Sequence, residues 1–262
     1  MPIAEVPGAR LHYELVGSGP RLLVVNGTGS DLRKRPNVLD GPVVDHFTVL
    51  TYEHRGLGRS RATDVDVQPA MADFAADALA LADNVGWDGF ALLGISFGGM
   101  DAQHIALAGG ARIERLVLAC TSAGGAGGAS APLHELYPLT TPDRIERAIG
   151  LSDLRTATDA GRRSRMIEFM QAAVAADDPA TYPGLARQLE ARRHHDTWDR
   201  LPSLTVPTLV AAGRHDGIAP LANAEALTGR IPGAELQVFE GGHAFFLDDR
   251  TAWPAMIGFL RG

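Results

Sequence analysis

The run Gly94-Ile95-Ser96-Phe97-Gly98-Gly99 constrains this chain more than any other stretch. Before it stands Phe90-Ala91-Leu92-Leu93, a short apolar run that reads as a buried strand. After it, Met100, Gln103, His104, Leu107 and Ala108 recur at helical spacing. With 30 glycines among 262 residues, Gly-x-Ser-x-Gly alone means little; strand, turn and helix together mean more. Such a turn holds its serine in strained backbone, where side chains two residues either side would collide. Gly94 and Gly98 remove those side chains, and Gly99 lets the helix approach the strand. The hydroxyl of Ser96 is then presented near a helix N-terminus, whose partial positive charge favours developing negative charge.

A serine hydroxyl is a weak nucleophile near neutral pH, so it needs a base, and the base needs an orienting acid. The order serine, acid, histidine goes with a strand–elbow–helix nucleophile. Two later strand ends supply candidates. Ala212-Gly213-Arg214-His215-Asp216 offers Asp216, and Glu240-Gly241-Gly242-His243 offers His243. Of the nine histidines, only His215 and His243 follow late strands, and no second acid follows a strand end before His215. Asp248 and Asp249 read as caps of the closing helix. An oxyanion hole requires fixed N–H groups aimed at the oxygen that gains charge. Phe97 supplies one, and the glycine loop Asn26-Gly27-Thr28-Gly29 supplies another, from Thr28. Asn26, Gly27 and His195 are candidates for contact with substrate.

Around these residues the chain alternates strands and helices, which predicts a mostly parallel sheet in an α/β architecture. Strands are expected over 9–16, 21–25, 47–52, 90–93, 115–120, 208–212 and 236–239. Helices are expected over 71–85, 219–229 and 250–260. The alternation breaks at Gly124-Gly125-Ala126-Gly127-Gly128. Residues 130–198 read as a helical cap inserted into a core formed by 1–129 and 199–262. Within it, Thr141-Pro142 reads as a helix start and Gly150 as its end. Met166, Phe169, Met170, Ala173 and Val174 form one apolar face.

These motifs together resemble the α/β-hydrolase superfamily. The resemblance is to its small capped members, such as 3-oxoadipate enol-lactonases and meta-cleavage-product C–C hydrolases. Its carriers are the glycine loop, Tyr52-Glu53-His54-Arg55-Gly56-Leu57-Gly58-Arg59-Ser60, the elbow, Gly213-Arg214-His215-Asp216 with Pro220, and Gly241-Gly242-His243. The resemblance implies a central parallel sheet with an inserted cap and a serine hydrolase acting on a small ester or lactone. One departure is Asn26 where such proteins usually carry histidine. The same residues leave open C–C bond hydrolysis, perhydrolase or haloperoxidase-like activity, and a non-catalytic ligand-binding role.

The bulk properties narrow the partners. A formal net charge of −7 disfavours nucleic acid, which calls for a basic face. No stretch approaches the roughly 20 apolar residues of a membrane span. The start lacks a basic region followed by an apolar run, and Cys120 is the single cysteine; both point to a cytoplasmic protein. Cys120 reads as a small core residue. No dinucleotide fingerprint or phosphate loop is present, and no cofactor or metal is expected. His194-His195-Asp196 is not read as a metal site, because adjacent helical residues face about 100° apart. A small-molecule substrate is the expected partner, and the sequence leaves the oligomeric state open.

Overall fold

The computed structural model describes residues 2–262. Nine strands form one sheet: β1 (Ile3–Val6), β2 (Ala9–Gly17), β3 (Arg21–Val25), β4 (Thr48–Tyr52), β5 (Arg61–Ala62), β6 (Phe90–Ile95), β7 (Ile113–Ala119), β8 (Thr208–Gly213) and β9 (Glu235–Phe239). Along the main path the order is β1-β2-β4-β3-β6-β7-β8-β9, and β5 pairs with β2. β2 pairs antiparallel with β1, β4 and β5; along the path β4-β3-β6-β7-β8-β9 every pairing is parallel. Parallel strands buried on both faces need continuous apolar runs. Their successive side chains feed two cores. Leu23, Leu92, Leu118 and Val210 join one, against α1 (Met71–Asn84), α2 (Phe97–Gly109) and α6 (Leu221–Arg230). Leu22, Leu93, Val117 and Leu209 join the other, against α8 (Ala252–Arg261).

Between β7 and β8 lie three further helices: α3 (Thr141–Ser152), α4 (Ala160–Ala175) and α5 (Tyr182–Arg193). The N-cap of α3 is Thr140, one residue before the expected start, and Gly150 lies inside the helix. The apolar face of α4 does not enter either core. No residue of α4 is buried, and Phe169 is 61% exposed. The closing helix is preceded by a separate short turn of helix, α7 (Phe245–Asp248). Asp249 holds the start of α8 by accepting from Thr251, whereas Asp248 is the ion-pair partner of Arg155 and Arg162. No helix among the described residues is long and apolar enough to cross a membrane.

Candidate active site

Ser96 sits between the end of β6 and the start of α2 with φ 58° and ψ −117°. Only one other non-glycine residue among those described, Cys120, has positive φ. A Cβ on Gly98 would collide with the carbonyl of Val25, and one on Gly94 with the carbonyl of Gly98. The elbow therefore closes only with glycine on both sides. The strained turn is pinned by hydrogen bonds from Ser96 N–H to the Ala119 carbonyl (2.9 Å) and from Thr121 Oγ1 to the Ser96 carbonyl (2.9 Å).

The loops after β8 and β9 bring the other two residues to this hydroxyl. His243 Nε2 lies 2.8 Å from Ser96 Oγ, and His243 Nδ1 lies 2.8 Å from Asp216 Oδ2. Asp216 is sealed from solvent, and its Oδ1 accepts from the N–H groups of Ile218 (2.7 Å) and Ala219 (2.9 Å). Those two bonds fix the carboxylate and leave Oδ2 aimed at the imidazole. In such a relay the imidazole can take the hydroxyl proton as the oxygen attacks, while the carboxylate orients the ring. His215 points elsewhere, with Nε2 3.4 Å from Glu240.

Two backbone segments approach Ser96. Phe97 is the first residue of α2, so its N–H has no carbonyl partner within the helix. From the other side comes the glycine loop, where a Cβ on Gly27 would lie 3.4 Å from Ser96 Cβ and 3.9 Å from Oγ. Thr28 follows directly, its Oγ1 buried without a hydrogen-bond partner. Asn26 holds this loop from below. Its Nδ2 donates to Thr51 Oγ1 (2.7 Å), and its carbonyl accepts from His54 Nε2 (3.2 Å). Burial pushes the His54 pKa down to about 4, so the ring stays neutral and Nε2 carries the proton. Asn26 therefore keeps the loop in place through its side-chain amide and its carbonyl.

Two residues outside the expected set also hold the site. The Gln188 side chain on α5 accepts the Gly29 N–H at 2.8 Å. The Ser152 carbonyl at the end of α3 accepts the His243 N–H at 2.7 Å. No sequence signal marked either one: a glutamine in a helix and a backbone carbonyl carry no motif.

His195 is not brought to the site. It is buried, with Nδ1 3.2 Å from His104 Nε2 and Nε2 3.0 Å from the Ser122 carbonyl. Arg200 donates to His104 Nδ1 (3.0 Å), so the proton on each ring is fixed by the next acceptor. The adjacent His194 points outward, to Glu190. Asn26, Gly27 and Thr28 do line a cleft of about 1010 Å³ that also reaches Ile95, next to Ser96.

Comparison with known proteins places the chain in a family. The family described as serine aminopeptidase, S33, matches residues 20–250. A polyketide synthase, ThaQ, of Burkholderia thailandensis is 35% identical over 98% of the chain, which spans only 12% of that much longer protein. A protein of Azorhizobium caulinodans with the provisional name carbamate hydrolase RutD is 28% identical, covering 94% of this chain and 92% of its own. A pimeloyl-[acyl-carrier protein] methyl ester esterase of Vibrio campbellii is 27% identical over 95% and 96% of the two chains. Among solved structures, an enol-lactonase of Burkholderia xenovorans superposes with a TM-score of 0.82 over the whole of both chains at 24% identity, a likeness of fold. The chain is a hydrolase of the serine aminopeptidase S33 family, within the α/β-hydrolase superfamily.

Proposed function

We propose that the chain hydrolyses a carboxylic ester or lactone through an acyl-enzyme on Ser96. The observation that carries this reading is the continuous relay from Ser96 Oγ through His243 to Asp216, at 2.8 Å on each side of the ring. Ser96 Oγ attacks the carbonyl carbon and gives its proton to His243 Nε2. The oxyanion that forms is met by the N–H groups of Phe97 and Thr28. The carbon–oxygen bond to the alcohol breaks, and His243 returns the proton to the leaving oxygen. Water then attacks the acyl-enzyme, losing a proton to His243, and the acid departs as Ser96 regains its hydrogen. Asp216 keeps Nδ1–H pointed at itself throughout and stabilises the imidazolium. Similarity to an esterase supports the ester substrate. Similarity to a carbamate hydrolase supports a carbamate as a second substrate for the same relay.

A fluorophosphonate probe tests the reading. Wild-type protein is expected to label once, at Ser96, and Ser96→Ala is expected to take no label. An unlabelled wild type, or equal labelling of the variant, would end the proposal and favour a ligand-binding role.

A further inference from the structure

The cleft beside Ser96 is larger and more apolar than a small ester or lactone requires. Its volume of about 1010 Å³ is at the top of the range for small-molecule sites, roughly 300–1,000 Å³. Val38, Ile95, Phe169, Phe246, Leu247 and Trp253 supply its apolar walls. Eight large apolar side chains are exposed among the described residues, and two of them, Phe169 (61%) and Leu247 (70%), border this one cleft. Two residues of the apolar stripe of α4, Phe169 and Ala173, thus line this cleft instead of a core. Every charged side chain lining the cleft already has an ionic partner within the protein. Arg33 pairs with Asp31 and Asp178, Lys34 with Asp177, and Arg35 with Asp40. The walls offer no cation that lacks a carboxylate.

We infer that the cleft holds an uncharged aliphatic acyl chain of medium length, bound along α4 and the Phe246–Trp253 wall with its carbonyl at Ser96. This inference rests on the ester-hydrolase reading above and names its substrate class. A chain ending in a carboxylate fits less well, because these walls present no unpaired cation to offset the loss of its hydration. Each methylene laid on the apolar wall adds favourable transfer free energy, equivalent to roughly fourfold in kcat/KM.

The test is a series of p-nitrophenyl esters from acetate to dodecanoate, with an ω-carboxylate analogue matched in length to the octanoate. The ratio kcat/KM is expected to rise about fourfold per methylene up to octanoate, and the ω-carboxylate ester to fall at least tenfold below octanoate. Phe169→Asp and Leu247→Asp, both at exposed positions, are expected to lower the octanoate-to-acetate ratio about tenfold without moving the thermal midpoint. A flat or falling series, or an ω-carboxylate ester as good as octanoate, overturns the inference. If Ser96 still takes the fluorophosphonate label in that case, the hydrolase reading survives and only the chain assignment is lost. Binding is read separately in Ser96→Ala: octanamide is expected to give a saturable change in tryptophan fluorescence that Trp253→Phe abolishes. No change with octanamide, or an equal change with acetamide, removes the cleft assignment whatever the turnover.

Discussion

At the scale of single residues, the site depends on hydrogen bonds that leave each group one direction to face. Asp216 spends Oδ1 on two backbone N–H groups and Oδ2 on His243. Asp216→Asn keeps the shape but presents an amide to the ring, which selects the wrong tautomer. The expected loss in kcat is about 10³- to 10⁴-fold, with the fold intact by circular dichroism. Gln188 acts through the loop and not on substrate. Removing its carbonyl frees the Gly29 N–H and loosens the backbone that carries Thr28. Gln188→Ala is therefore expected to reduce kcat on the order of 10- to 100-fold while KM changes little. Gln188→Glu retains the acceptor and should recover most of that loss. A loss confined to KM would show that Gln188 serves substrate binding instead.

At the scale of elements, the β6–α2 elbow is where sequence and structure correspond most closely. Its glycines are dictated by backbone collisions, so the pattern can be read without knowing the neighbours. Gly98→Ala is expected to destabilise the protein by about 1–3 kcal/mol and to displace Ser96, measured by denaturant unfolding and by loss of fluorophosphonate labelling. The parallel strands were equally legible, because burial on both faces leaves apolar runs such as Leu22 to Val25 and Leu116 to Ala119. Asp216 was legible because it follows such a run, Thr208 to Gly213, and His243 because it follows the last strand, β9. The region of α3 to α5 was less so. The stripe from Met166 to Val174 has the period of a core-facing helix, and periodicity cannot distinguish a face against a core from one against a cleft. The place of His195 was not legible for a related reason: its partners, His104 and the Ser122 carbonyl, are distant in sequence and carry no motif. Glycine-loop placement was readable, but the residues that tether it, His54 and Gln188, emerge only from contacts across the fold.

At the scale of the whole molecule, buried titratable groups set how stability responds to pH. Burial lowers the pKa of His54 to about 4, of His104 to about 4 and of His195 to about 3, from an ordinary 6.5. Arg200 beside His104, and His104 beside His195, push in the same direction. The unfolded chain therefore binds protons that the folded one refuses. Their contribution is fully present above about pH 6.5 and is lost as pH falls from there toward 3–4. Asp101 works with the opposite sign. Burial, and then the charge of Asp77, raises its pKa well above 3.8, so its contribution is lost as pH rises above that value. Denaturant unfolding between pH 4 and pH 8 should show stability falling on the acid side. His104→Gln should flatten that limb, and Asp101→Asn should raise stability at the alkaline end. An acid limb unchanged by His104→Gln would mean that other groups set it.

The ties from Ser152 to His243 and from Gln188 to Gly29 bear on how this enzyme could be remodelled. The helices between β7 and β8 are the obvious stretch to exchange when new selectivity is sought. Here that stretch also holds His243, the proposed base, and the loop that carries Thr28. A graft that replaced it wholesale would alter turnover along with preference. Recombination would succeed only with donors that return a carbonyl and an amide to those two places. Selectivity and rate in this chain are therefore inherited together.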